Sequence, residues 1–498
     1  MDPEAALPKD RRTLAAVLAV CGVPMVASAL LQRYTRMPEG DEPHYLAINE
    51  AIKRYGSIHV RPVYDNWDFT AFHPGPLSAH VAAAPHDTLP WHGIGGPVLW
   101  HVPYLLGGRT GVLLFMVVVS LLTVANVWWL LRRAGLDRFP AALTAVAIGL
   151  GSTVLTYTAK VFVEPLAALV VVYALRVLAA PPRLRDLLLL GAGLGALPWV
   201  HSRFLPLEAS LFVLAAWRIG RDRRRWAGFL VPLGVLTAGL FTYLWTVWHS
   251  LNPSVNQAGD KHLLFGANPV KSLVGVLLDQ EHGVLFSYPV FLLVLPGLLL
   301  AGRRRPQLMM LAAVGPYCAI LLTSPGWWGG WAPPARLWAA VLPAFAYPIG
   351  YALHRARNAF VTALAVLCIA ATVGLETLSR FSPSNGFSAD YGYLVPLRVL
   401  EGLAGLRITG YLPAWYTRAD APWLFLWWGL AAVAVALLVL LPTRARPATG
   451  NPPTAGGRER QAFERVPDHG GELEPVAGED QRPGPVRDEV RAVAPPWP

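Results

Sequence analysis

The chain reads as an all-α polytopic membrane protein, and three observations make it so. Hydrophobic residues form 54% of its 498 positions and charged residues only 15%, too apolar for an ordinary soluble protein of this length. Apolar runs long enough to cross a membrane follow one another through most of the chain, about twelve in all. Short basic clusters separate them at every second gap, the pattern that fixes membrane orientation.

The net charge of +11 is spread over those clusters and forms no basic stripe with interleaved aromatics, so nucleic acid is not an expected partner. The three cysteines, Cys21, Cys318 and Cys368, all fall inside apolar runs, which indicates neither a disulfide framework nor a cysteine-based zinc site.

Residues 1–12 carry Lys9, Arg11 and Arg12 ahead of an apolar run over 13–33, predicting a cytoplasmic N-terminus and a first span. Ala27-Ser28-Ala29 has the form of a cleavage site, but the run exceeds the roughly 7–15 residues of a signal core, which favours an uncleaved anchor. A long external loop, 34–108, comes next. Its stretch Trp91 to Leu106 reads as a re-entrant or surface segment.

Further spans are expected at 109–131, 139–158, 162–180, 186–200, 203–218, 226–248, 283–301, 307–324, 335–353, 358–375 and 422–441. The connections Arg132-Arg133-x4-Arg138, Arg183-x-Arg185, Arg218 to Arg225, Arg303-Arg304-Arg305 and His354-Arg355-x-Arg357 are short and basic, hence cytoplasmic. From 442 to 498 the chain is rich in Pro, Gly, Arg and Glu, and reads as a disordered cytoplasmic tail.

The first loop opens with Gly40-Asp41-Glu42-Pro43-His44-Tyr45. Pro43 suits the first turn of a helix, which puts Asp41 and Glu42 at its cap. The helix shows an apolar stripe at Tyr45, Ile48, Ile52 and Tyr55, leaves Asn49, Glu50, Lys53 and Arg54 off it, and stops at Gly56. That predicts an amphipathic helix lying on the membrane surface. On these residues alone the two acids either cap the helix or serve a site.

An Asp-Glu-x-His-aromatic motif directly after the first span resembles the protein O-mannosyltransferase (glycosyltransferase 39-like) family and the wider GT-C class of polyprenyl-phosphate-sugar-dependent glycosyltransferases. The resemblance implies a GT-C-like helical bundle whose first external loop carries juxtamembrane helices. It also implies Asp41 as catalytic base, Glu42 as its neighbour and, more loosely, His44 at the substrate and Glu164 as a second acid that positions the acceptor. The match lies in this short motif and in the layout of the chain.

Other polar groups fall on the same external side. Lysine is scarce, occurring only as Lys9, Lys53, Lys160, Lys261 and Lys271, so Lys160 between two apolar runs stands out. It either pairs with Glu164 at i, i+4, snorkels to headgroups, or helps bind a phosphate. His201 and Arg203 occupy a short outer turn where an arginine is unusual. Its planar fork suits the phosphate of a lipid substrate or of a membrane phospholipid. The segment Pro325-Gly326-Trp327-Trp328-Gly329-Gly330-Trp331 to Arg336 is either an interfacial aromatic belt or a sugar-and-phosphate site, with Trp328 against the sugar and Arg336 on the phosphate. Asp279-Gln280-Glu281-His282 opens another span as helix-start acids, or lines an acceptor groove through Glu281.

Seven of the 13 histidines lie in the first loop, which keeps a divalent metal open as a cofactor, although no pair has the spacing of a metal-binding helix. No nucleotide loop is present. The expected function is inverting transfer of a sugar from a polyprenyl-phosphate donor to a glycan, lipid or protein acceptor at the outer face of the cell membrane. A transporter or lipid flippase is the alternative, since outer charges also suit a substrate in transit. A structural membrane subunit is a third reading, favoured if those charges lie scattered.

Overall fold

The computed structural model describes residues 8–35, 37–257, 266–356, 358–379, 393–414 and 422–444. The tail expected from 442 thus lies outside the described residues beyond Arg444, as do Lys261 and Arg357. Met1–Pro447 forms one compact unit.

The described residues are helical apart from turns and one isolated bridge between Val81 and Pro90. In order the helices are α1 (Pro8–Thr35), α2 (Glu42–Tyr55), α3 (Arg61–Asp65), α4 (Gly95–Leu99), α5 (His101–Arg133), α6 (Arg138–Leu150) and α7 (Thr153–Thr158). Then come α8 (Glu164–Leu178), α9 (Leu184–Val200), α10 (Leu205–Ile219), α11 (Arg223–Trp248), α12 (Pro269–Leu278), α13 (Val284–Ser287) and α14 (Val294–Ala301). The last are α15 (Arg305–Thr323), α16 (Ala346–Arg355), α17 (Ala359–Ser379), α18 (Val395–Ala404) and α19 (Pro422–Arg444).

Six of these are long and apolar enough to cross a membrane, within α1, α5, α11, α15, α17 and α19, so the chain is a multi-pass membrane protein. Several other expected spans are shorter or broken. The run 139–158 divides into α6 and α7 because Gly151 turns the chain and the Ser152 hydroxyl caps α7 by accepting from Val154 N at 3.2 Å. Pro289 breaks 283–301 into α13, a 3-10 turn and α14. The run 335–353 begins as two 3-10 turns before α16.

The basic connections are tied together at one end of the bundle. Asp10 of α1 binds Arg138 at 2.5 Å and Arg132 at 3.4 Å, which brings the chain start to the α5–α6 connection. Asp137 meets His354 at 3.5 Å, Arg218 donates to Leu178 O at 2.8 Å, and Arg304 lies over the Tyr351 ring. Of the helices that begin or end there, α1, α8, α9 and α10 have their other ends next in the chain to Asp41, Glu164 and Arg203.

Helix packing relies on small residues where backbones meet. A Cβ on Gly191 of α9 would stand 2.1 Å from the Phe229 carbonyl of α11, and one on Gly195 would stand 2.9 Å from Leu236 Cβ. In lipid, where burial of apolar surface gives little drive for helices to associate, such close approach supplies much of the adhesion. Gly191→Val is therefore expected to lower stability by about 1–3 kcal/mol. Thermal unfolding in detergent reads the loss, and an unchanged midpoint contradicts this packing.

Candidate functional site

A single guanidinium collects the site. Arg336 closes the turn 325–336, where Gly329 (φ 89°) and Gly330 (φ 71°) both adopt the left-handed conformation. The turn is pinned from behind by Tyr157, whose hydroxyl donates to Pro333 O at 3.0 Å, and by Tyr288, which donates to Pro334 O at 3.4 Å. Held this way, Arg336 is only 8% exposed and spends each arm on a different partner. Nη1 donates to Gly329 O at 3.0 Å, Nε donates to Glu164 Oε1 at 3.1 Å, and Nη2 donates to Asp41 Oδ2. Its flat face lies over Phe162, 4.9 Å from the ring centre.

Glu164 is the first residue of α8 and is fully buried. Its Oε1 also accepts from Arg203 Nη2 at 2.5 Å, so one carboxylate oxygen holds two arginines. Glu164 Oε2 and Arg203 Nε are buried without a hydrogen-bond partner. Polar atoms in that condition cost free energy.

Asp41 reaches Arg336 because Gly40 lets the chain pass against the other loop. Gly40 has φ 54°, and a Cβ there would stand 2.1 Å from Trp331 O. Asp41 occupies the cap position of α2, yet its side chain makes no capping bond. The carboxylate turns to Arg336 instead. Burial alone would raise its pKa, but the Arg336 charge outweighs that and holds the carboxyl well below the usual range.

Helix α2 differs from expectation. Glu42 through Ala51 are all buried, so it is an internal helix and not one lying on a surface. The residues off the apolar stripe are satisfied inside: Asn49 donates to Pro97 O at 2.9 Å and accepts from Trp100 Nε1 at 2.8 Å, while Glu50 accepts from Tyr104 and Arg54. Glu42, beside Asp41, would raise the pKa of one of the pair by like-charge repulsion if it were unpaired. It has its own cation, Arg109 at 2.7 Å, just past the kink at Gly107 and Gly108 in α5, and Asp41 is lowered, not raised.

Three imidazoles from the first loop stack beside Asp41. His92 Nδ1 lies 3.8 Å from Asp41 Oδ2, His92 Nε2 lies 3.2 Å from His80 Nδ1, and the His80 ring lies on His44 with centres 3.5 Å apart. His44 Nδ1 bonds the Tyr64 hydroxyl at 2.9 Å. Burial, then the neighbouring imidazoles, push His44 down to about 2, and burial pushes His92 down to about 4 despite Asp41. Among the described residues no group of His, Cys, Asp and Glu is placed to hold a metal ion.

The remaining expected residues lie around this core. Lys160 is buried and pairs with Glu39 at 3.4 Å, so neither the i, i+4 pair with Glu164 nor snorkelling describes it. His201 accepts from Arg203 N at 3.1 Å and meets Gln257 at 3.1 Å. It shares with His92, Trp199, Tyr243 and Trp248 the wall of a cleft of about 430 Å³, a volume that includes space open to solvent. Trp328 is half-buried, edge-on to Trp327. Glu281 is buried beside His282, whose carbonyl accepts from Ala335 N at 2.9 Å, so it backs the turn that carries Arg336.

His92, His80, Arg109 and Glu39 escaped the sequence reading as site residues. The signal for Arg109 was a charge at the start of an apolar run, and for Glu39 its place two residues before Asp41. Nothing in the spacing of His80 and His92 marks them as partners.

No family model matches the chain, and no curated protein matches it. Among solved structures the chain is similar to ArnT from Cupriavidus metallidurans bound to undecaprenyl phosphate, at 17% identity and a TM-score of 0.48, covering 88% of this chain and 73% of that one. It is also similar to the oligosaccharyltransferase AglB from Archaeoglobus fulgidus, in complex with an inhibitory peptide and a dolichol-phosphate, at 12% identity and a TM-score of 0.40. That match covers 86% of this chain and 55% of AglB, so the chain spans a little over half the AglB length.

The stacked histidines make stability depend on pH. His92 titrates near 6.5 when unfolded and near 4 when folded, so the unfolded chain binds more protons between those values. Its contribution is complete above about 6.5 and is lost as pH falls toward 4. His92→Phe is expected to flatten that part of an unfolding-temperature profile. A profile over this range as steep as that of the unsubstituted protein contradicts a buried neutral His92.

Proposed function

We propose that the chain is a polyprenyl-phosphate-dependent membrane glycosyltransferase of the GT-C kind, with residues 13–441 as its membrane domain and 442–498 as a cytoplasmic extension. One observation carries the reading: Asp41, Arg336, Glu164 and Arg203, from four separate parts of the sequence, form one connected cluster. That cluster lies at the end of the bundle opposite the basic connections. By the positive-inside bias this end is extracytoplasmic, in a cell membrane.

The cluster balances two carboxylates against two guanidiniums. A glycosyl phosphodiester brings one negative charge, and Arg336 and Arg203 are the groups to receive it, with Lys160 behind them. When phosphate oxygen takes Arg336 Nη2, Asp41 Oδ2 is released to accept a proton. The base is then free only when the donor is present, so an acid that Arg336 holds low serves once phosphate takes its place.

The acceptor hydroxyl attacks the anomeric carbon as Asp41 takes its proton, the bond from that carbon to the phosphate oxygen breaks on the far side, and configuration inverts. The second negative charge on the departing phosphate appears as Asp41 loses its own, so the cluster's total charge stays constant. Preplaced arginines facing that growing charge act as electrostatic catalysts. Glu164 holds both of them in position. Trp328 and His201 are assigned to the sugar and acceptor, His44 and Glu281 to support of the two loops, and Glu42 to anchoring α2 through Arg109. The acceptor is a glycan, a lipid or a protein.

Membranes given labelled polyprenyl-phosphate sugars test this. Asp41→Asn is expected to reduce transfer at least 100-fold at unchanged protein abundance, the lower end of what a general base supplies. Retained transfer removes Asp41 from the base role. Arg336→Lys keeps one charge but loses the three-way fork, and a fall of roughly 10-fold or more in kcat/KM is expected. Equal rates would mean that the fork has no part in holding phosphate.

A further inference from the structure

The reaction above leaves a proton on a carboxyl that holds it poorly. Asp41 must shed that proton before it can serve as base again, and a base within reach takes it directly. The arrangement of the first-loop histidines supplies one, with a route onward.

We infer that His92 and His80 form a proton exit from Asp41 to solvent. This rests on Asp41 being the base. Asp41 Oδ2 is at once the atom bound by Arg336 Nη2 and the atom 3.8 Å from His92 Nδ1. Departure of Arg336 to a phosphate leaves that oxygen facing the imidazole.

The other His92 nitrogen, Nε2, is 3.2 Å from His80 Nδ1. His80 is half-buried where His92 is only 3% exposed, so the pair runs from the interior outward. With each ring carrying its proton on Nε2, the movement balances. Asp41 gives its proton to His92 Nδ1, His92 Nε2–H passes to His80 Nδ1, and His80 Nε2–H passes to water. Loss of the Nδ1 proton and uptake of one at Nε2, by exchange with water, restores the starting tautomers.

Surrounding groups keep the relay neutral at rest. His92 faces Asp41, His80, Arg336 and Arg203 as charged or titratable neighbours, with Tyr45 ring-to-ring at 4.8 Å. His80 faces Asp41 and is stacked on His44, and His44 faces Tyr64, His73 and Asp41. Rings this close cannot both hold charge, so a proton arriving at one displaces one from the next. Plane-to-plane stacking also explains why the three imidazoles make no metal site, since their lone pairs do not converge.

The test uses the full chain in detergent or liposomes with a polyprenyl-phosphate sugar, measuring steady-state kcat and KM against pH. His80→Ala is expected to lower kcat about 10-fold or more with KM unchanged, and added imidazole is expected to restore it in proportion to its concentration, because the site of loss is half-exposed. His80→Gln replaces it if the alanine variant is poorly folded. His92→Phe is expected to lower kcat without rescue, being sealed from solvent. A His80 variant with the unsubstituted kcat, or a loss in kcat that imidazole leaves untouched, overturns the relay. Asp41→Asn, assayed alongside, separates the outcomes: an inactive Asp41 variant beside a fully active His80 variant removes the exit but keeps the base, whereas an active Asp41 variant removes both.

Discussion

The end of the bundle that holds Asp41 depends on one buried arginine shared by two carboxylates. A guanidinium removed from water is costly unless its donors are used, and Arg336 uses them on Asp41, Glu164 and the Gly329 carbonyl. Because those partners come from the first loop, the start of α8 and the 325–336 turn, the same bonds that satisfy the charge also fix three distant segments to one another. Removing the arginine would strand two acids in a site of low polarisability. Such an arrangement contributes little net stability compared with apolar packing, which fits a functional use of the charges.

On the proposed function, the cluster also links structure to control of reactivity. The proposed base, Asp41, is bound by the proposed phosphate ligand, Arg336. Exchange of one anion for another at Arg336 is the smallest change that turns the first arrangement into a working one, and it requires no movement of a helix. Glu164, gripping both Arg336 and Arg203 through a single oxygen, keeps the cations together during that exchange.

Much of the fold was legible in the sequence, because alternation of apolar runs and basic connections is a strong, repeated signal. The expectation that the polar groups share one side rested on it, whereas Asp41 and Glu164 as site residues came from the short motif that resembles the GT-C class. Pairings were not legible. Lys160 takes Glu39, two residues before Asp41, and Glu42 takes Arg109, since ion pairs between segments depend on packing that spacing along one helix does not encode. The apolar stripe of α2 misled for a related reason. Asn49 and Glu50 read as a wet face, yet each finds enough partners inside the protein to be buried. The histidine stack depends on how the irregular loop 34–108 folds back on α2, and no local pattern foretells that.

The most direct measurement is a structure of the full chain with a polyprenyl phosphate bound. The account predicts phosphate oxygens within hydrogen-bonding distance of Arg336 and Arg203, with Arg336 Nη2 withdrawn from Asp41. Phosphate bound elsewhere, with the Asp41–Arg336 pair intact, would contradict it.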